Sequence, residues 1–270
     1  MRRSFQTARD RRSLLLLVTA GMLLFFQHPS FAIEGLPGST WGEVSHDVDS
    51  LVGNGSMGFL NQGIDWVILP GGMTLNTFAE FRYRLRSRNN DFYNAYGPLV
   101  GMELKKSIFG LGADYHWERF PELSETDAKF QFYLRWYYNW DLKRAIPAFK
   151  ALPVQGLSGS SWGELSHDTS SFIGNGIIGY VNQGIDWVLL PGGVTLNTFA
   201  EFRYRLRSRN NDFYNAYGPA LGAELRKENI ALGVDYFWER FPDLPETDGK
   251  VQYYLRWYFD WDLKKIGNRS

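Results

Sequence analysis

Residues 74–98 read TLNTFAEFRYRLRSRNNDFYNAYGP, and residues 195–219 repeat the same 25 letters. Within AEFRYRLRSR an arginine stands at every second position, with Tyr83 and Leu85 between them. Period two is the side-chain period of a β-strand, so the stretch predicts a strand with one guanidinium face and one apolar face. Leu75, Thr77, Ala79, Phe81, Tyr83 and Leu85 share one side, while Asn76, Phe78, Glu80, Arg82, Arg84 and Arg86 share the other. The fold turns on which of these sides meets water.

Outward from this stretch the repetition continues. Gly35 through Lys143 aligns with Gly156 through Lys264 at a constant offset of 121: WGEVSHD returns as WGELSHD, NQGIDWV as NQGIDWV, and YLRWYYNWDLK as YLRWYFDWDLK. The chain therefore holds one unit written twice. Each unit offers six strands, in the first 40–46, 57–69, 73–86, 96–105, 109–120 and 130–142, with Gly, Pro, Asn, Asp and Ser clustered between them. The first strand carries the weakest pattern, so five strands per unit is the alternative. Residues 144–155, RAIPAFKALPVQ, read as a linker between repeats at 33–143 and 156–264, and 265–270 as a tail. Short connections, Pro70-Gly71-Gly72 and Lys106-Ser107-Ile108, alternate with longer ones, DVDSLVGNGS, SRNNDFYNA and PELSETDAK. An even strand count puts the short turns, the linker and both chain ends on one side, the habit of membrane barrels whose short turns face the periplasm.

Residues 1–32 read as a cleaved export signal. Arg2, Arg3, Arg9, Arg11 and Arg12 precede the apolar run LLLLVTAGMLLFF at 14–26, and Ser30-Phe31-Ala32 has the form of a cleavage site. The run is shorter than the roughly 20 residues of a spanning helix. An uncleaved anchor is the alternative, and Arg11-Arg12 leaves twin-arginine export open. Processing after Ala32 removes five of the 29 basic and one of the 29 acidic residues, leaving about −4, a balance with no hint of nucleic-acid binding. The chain has no cysteine, so neither a disulfide framework nor thiolate chemistry is available to it. Beyond the signal no segment approaches 18 consecutive apolar residues, which excludes a helical membrane protein.

Two architectures satisfy the alternation. A soluble periplasmic β-protein buries the apolar faces; a membrane barrel points them at lipid and the charges into a lumen. Strands of 10 to 14 residues exceed the usual five or six of soluble strands and suit a tilted membrane strand. Trp66, Trp140, Trp187 and Trp261 lie near strand ends, at the height expected of an interfacial belt. Gly101, Gly110 and Gly112 share the charged face and are expected to leave room for long arginines. Six strands cannot close around such side chains, so the halves are expected to complete one all-β, antiparallel transmembrane barrel of about 12 strands. Two separate sheets that close only by oligomerising are the rival arrangement.

The signal, the two-faced strands and the aromatic strand ends resemble the Gram-negative outer-membrane β-barrel, porin-like class. The resemblance spans the chain after the signal and rests on pattern, without a family motif. Such barrels commonly finish on an aromatic residue, whereas here YYLRWYFDWDL is followed by KKIGNRS. The resemblance implies an outer-membrane location with the lipid bilayer as partner; homo-oligomerisation stays open.

A lumen face so built carries a basic ladder of Arg82, Arg84 and Arg86 with Arg203, Arg205 and Arg207, extended by Arg88 and Arg209. Its acids are Glu80, Glu103, Asp114 and Glu118 with Glu201, Glu224, Asp235 and Glu239. Guanidiniums in a row can pass a carboxylate or phosphate along, so a passive channel for small anionic solutes is the first expectation. In size and pattern this is similar to the twelve-stranded channels for acidic oligosaccharides. A non-conducting structural or surface-binding barrel, its arginines paired with facing acids, is the second. No enzyme, cofactor or metal site is expected. Ser45-His46-Asp47 and Ser166-His167-Asp168 have triad residue types, but neighbours on a strand alternate faces. His116 is matched by Phe237, which removes a symmetric metal site. Glu122, Glu125 and Asp127, with Asp243, Glu246 and Asp248, read as solvated loop acids.

Overall fold

A computed structural model describes residues 37–48, 50–51, 53–69, 71–87, 94–141, 158–169, 174–208 and 215–262. The export segment, Arg88, Arg209, the linker and the tail lie outside the described residues. Six strands form from the first repeat: β1 (Pro37–Val48), β2 (Gly55–Leu69), β3 (Met73–Arg86), β4 (Ala95–Lys106), β5 (Phe109–Phe120) and β6 (Glu125–Asp141). The second repeat gives β7 (Ser158–Thr169), β8 (Gly176–Leu190), β9 (Val194–Arg207), β10 (Ala216–Lys227), β11 (Ile230–Arg240) and β12 (Thr247–Asp262). The weakly patterned first strand is therefore real and longer than 40–46, because its pairing with neighbours on both sides fixes backbone that its own sequence leaves undecided.

Every strand pairs antiparallel with its sequence neighbour, β6 pairs with β7, and β12 returns to β1, so one chain closes the barrel. Closure within the chain removes the rival in which separate sheets share edges between molecules. Following the register once round gives a shear of roughly 16 residues and a strand tilt of about 45°, at the steep end for such barrels. Sequence repetition becomes a two-fold of pairing: Arg135 sits opposite Glu164 as Arg256 sits opposite Glu43.

The apolar faces point out. Leu111 and Leu232 are 61% and 59% exposed, and Leu60, Phe81, Val100, Leu134, Phe202 and Leu221 are exposed beside them. A soluble protein would lose its core by this arrangement; hydrocarbon around the barrel supplies the missing contact. The fold is a transmembrane β-barrel. Among the described residues no helix is long and apolar enough to cross a membrane.

Local devices serve this shape. The short turns rest on Gly71 and Gly72, with φ of +82° and +73°, and on their counterparts Gly192 and Gly193 at +80° and +76°. A register shift between Asp65 and Val67 is repeated between Asp186 and Val188. There the Trp66 indole donates to Thr77 Oγ1 at 2.5 Å, and Trp187 to Thr198 Oγ1 at 2.6 Å. With Trp140 and Trp261 these rings ring the short-turn end, as interfacial tryptophans should.

The inward glycines do something other than expected. Gly112 accommodates the Tyr133 ring, Gly101 accommodates Phe78 with Asp114 Cβ, and Gly110 faces the Glu103 carboxyl. They make room for aromatics and an acid, not for arginines. Phe78 and Tyr133 meet edge to face at 6.3 Å, and Phe199 and Tyr254 repeat the contact at 6.4 Å. Part of the lumen wall is thus an aromatic shelf.

Candidate functional site

On β3 the alternation turns Arg82, Arg84 and Arg86 inward in one file, and β9 does the same with Arg203, Arg205 and Arg207. Acids from neighbouring strands stand against the wall behind them. Arg82 pairs with Glu80 beside it, and Arg203 pairs with Glu201 and donates to Asp235 Oδ2 at 2.8 Å. Arg84 Nη1 donates to Glu118 Oε1 at 2.7 Å, and Arg205 Nη2 lies 2.6 Å from Glu239 Oε1. Tyr254 donates its phenol proton to Glu224 Oε2 at 2.8 Å, and Glu224 also pairs with Arg226. The facing acids are where the alternation placed them.

The partners in these pairs are unequally wet. The Arg82 side chain is 37% exposed and Glu80 1%; Arg203 is 26% exposed and Asp235 1%; Arg205 is 21% exposed and Glu239 0%. Carboxylates are short and lie against the wall, whereas arginine stems carry guanidiniums over them towards the axis. At these pairs the accessible group is therefore the guanidinium. Acidic groups outnumber basic ones on the inward face once Glu43, Asp47, Asp65 and Asp127 are included. At physiological ionic strength screening acts over about 8 Å, so a solute in the lumen responds first to the guanidiniums it touches.

Arg86 and Arg207 depart from the ladder. Both side chains are fully out of water, Arg86 Nη2 on Asp47 Oδ2 at 2.7 Å and Arg207 Nη2 on Asp168 Oδ2 at 2.5 Å. Arg86 also donates to the Gly53 carbonyl at 2.9 Å and to Ser50 Oγ at 3.0 Å. They brace the long-loop end instead of lining a path, because that end closes over the last arginine of each file. Lys129 and Lys250 join the same layer, each bridging a Glu of its own half and an Asp of the other: Glu118 at 2.6 Å and Asp168 at 3.4 Å, and Glu239 at 3.1 Å and Asp47 at 3.5 Å.

The loop acids divide. Asp127 and Asp248 are buried, not solvated, and Asp248 accepts from Ser50 Oγ at 2.6 Å and from the Leu51 amide at 2.8 Å. Glu122 accepts from Asn94 at 2.6 Å and Asp243 from Asn215 at 2.9 Å, so these acids tie loops to strands.

Three lumen arginines were absent from the sequence-based ladder: Arg226, already met beside Glu224, and the matched Arg135 and Arg256. Arg135 Nε donates to Glu164 Oε2 at 2.7 Å, and Arg256 Nε to Glu43 Oε2 at 2.9 Å, each across a seam between halves. Arg135 also lies over the Tyr133 ring at 4.4 Å, and Arg256 over Tyr254 at 5.0 Å. Each is the one cation of the aromatic stretch YLRWY, and parity alone puts it on the lumen side. Only strand pairing reveals its acid.

Ser45 and Asp47 face inward while His46 faces out, so the triad residue types do not meet. Among the described residues no group of His, Asp and Glu could hold a metal ion.

No protein-family model matches the chain, and no curated protein matches it. Solved structures do. An outer membrane channel from Pseudomonas putida F1 superposes with a TM-score of 0.50 at 10% identity, over 87% of this chain and 98% of that one. The β domain of the Bordetella autotransporter BrkA gives 0.43 at 10% identity, over 82% and 98%, and the NanC porin 0.40 at 8% identity, over 82% and 98%. At such identity the likeness is one of fold: the chain is similar in architecture to the Pseudomonas outer-membrane barrel along nearly its whole length.

Proposed function

We propose that the protein is an outer-membrane barrel, exported by its N-terminal segment, that acts as a passive channel for small solutes bearing carboxylate or phosphate groups. One observation carries the reading: in the pairs formed by Arg82, Arg203 and Arg205 the cation is accessible from the lumen and the acid is not. Guanidiniums so held are fixed by their acids and still offer donors to a passing anion. The short-turn end faces the periplasm in this reading. The test is reconstitution into planar bilayers. Discrete conductance is expected, with ion preference altered when Arg82, Arg84, Arg203 and Arg205 are replaced by glutamine. Silence in properly inserted barrels would overturn the channel.

The second reading is a non-conducting structural barrel. It is favoured by the dry layer of Asp47, Arg86, Lys129, Asp168, Arg207 and Lys250, which packs the long-loop end. Conductance distinguishes the two directly.

A further inference from the structure

The two-fold of the lumen breaks, among other places, where β4 meets β5. Leu99 on β4 sits opposite His116 on β5, whereas the matching positions on β10 and β11 hold Ala220 and Phe237. The bulk has changed strands: large beside medium in one half, small beside large in the other.

That exchange decides what each neighbouring arginine can reach. In the second half the Arg203 guanidinium rests over the Phe237 ring, 5.2 Å from its centroid. From there it donates to Asp235 Oδ2 at 2.8 Å and to Gln252 Oε1 at 3.0 Å while also holding Glu201. In the first half buried Leu99 stands opposite Glu80 in the place of Ala220, and buried His116 takes the place of Phe237. The imidazole Nε2 lies 2.5 Å from Asp114 Oδ1, and neither Asp114 oxygen accepts a guanidinium hydrogen bond. Arg82 is left with Glu80 on its Nε, and among the described residues its two Nη atoms have no protein acceptor. Its side chain is also wetter than that of Arg203, its two-fold mate.

We propose that Arg82 is an anion-binding position of the lumen, present in the first half only, at which the free Nη1–Nη2 edge grips two oxygens of a carboxylate or phosphate. Glu80 holds the stem in place from behind, and Leu99 with His116 keeps Asp114 from becoming the internal ligand that Asp235 is to Arg203. A fork of two parallel donors matches a two-oxygen anion in geometry as well as charge. The proposal rests on a water-filled lumen, as the channel reading does, but not on conduction.

The test uses the full barrel in detergent micelles with nitrogen-15 in its arginine side chains. Inorganic phosphate is titrated in, then acetate, while the guanidinium resonances are followed by NMR. One resonance, absent in Arg82→Gln, is expected to move saturably. The double exchange Leu99→Ala with His116→Phe gives β4 and β5 the residues that β10 and β11 hold at this level and should weaken that response by about tenfold, the scale of losing one charge-assisted contact. The reciprocal exchange Ala220→Leu with Phe237→His should add a second responsive arginine, Arg203, and guards against a folding defect in the first variant. An unchanged titration in Arg82→Gln, or full affinity after both exchanges, would overturn the proposal. Response to phosphate but not acetate would assign the site to phosphate groups within it. A barrel that is silent in bilayers yet shows the Arg82 response loses the channel and keeps the site.

Discussion

Arg256 on the last strand donates through Nε to Glu43 Oε2 on the first, at 2.9 Å, and so carries charge across the closure of the barrel. Arg135 and Glu164 repeat the pair at 2.7 Å where the halves join in sequence. Both members are partly wet, so the pair resembles a screened surface bridge more than a dry one. A double-mutant cycle with Arg256→Gln and Glu43→Gln, read by urea unfolding in lipid vesicles, should give a coupling of about 0.5–1 kcal/mol. The cycle at Arg135 and Glu164 should give the same value within error.

The dry layer behaves differently. Arg86 and Asp47 are both out of water, and removing one partner leaves a buried charge only partly met by Lys250 at 3.5 Å and Gln252 at 2.9 Å. Arg86→Leu should therefore cost about 3 kcal/mol in vesicle unfolding. Arg86→Leu combined with Asp47→Leu should recover part of that loss, since no lone charge then remains.

Glycine positions rank by what a methyl group would strike. A Cβ on Gly97 would run into the Trp117 backbone carbonyl, which cannot move without the strand; on Gly112 it would meet the Tyr133 ring, whose hydroxyl end can swing. Gly97→Ala should abolish heat-modifiable migration on gels. Gly112→Ala should keep it, at a cost of about 1–3 kcal/mol in unfolding.

Much of this was legible beforehand. Strict alternation in residues 73–86 and 109–120 fixed those strands to the residue, and the parity of Arg82 and Glu80 placed both on the lumen face. Residues 37–39 were not legible as strand, because Pro37, Gly38 and Ser39 carry turn chemistry and only pairing with β12 and β2 extends them. Nor could parity separate Arg82 from Arg86. Both face inward, and the difference is that Ser50, Gly53 and Asp47 close over one and not the other. The glycine to aromatic packing was hidden for the same reason, since Gly112 and Tyr133 meet only across the β5–β6 register.

The outward face should respond to charge by depth. Leu221 lies midway along β10 and Leu190 ends β8 at the short-turn side, both outward and exposed. Leu221→Arg should cost about 2–4 kcal/mol in vesicle unfolding and Leu190→Arg about 0–1 kcal/mol. Were the surface in water, both would be near neutral.

The sharpest test of the account asks what each face of one strand touches. Since the chain has no cysteine, single cysteines can be placed along β4 and spin-labelled without removing native thiols. In reconstituted vesicles, labels at Val100, Met102 and Leu104 should collide freely with oxygen dissolved in lipid and be shielded from a water-soluble nickel complex. Labels at Glu103 and Lys105 should be shielded from lipid oxygen, with the nickel complex reaching Lys105 at the open short-turn end. Loss of the two-residue alternation, or labels at 100, 102 and 104 shielded from both reagents as in a protein core, would contradict the account.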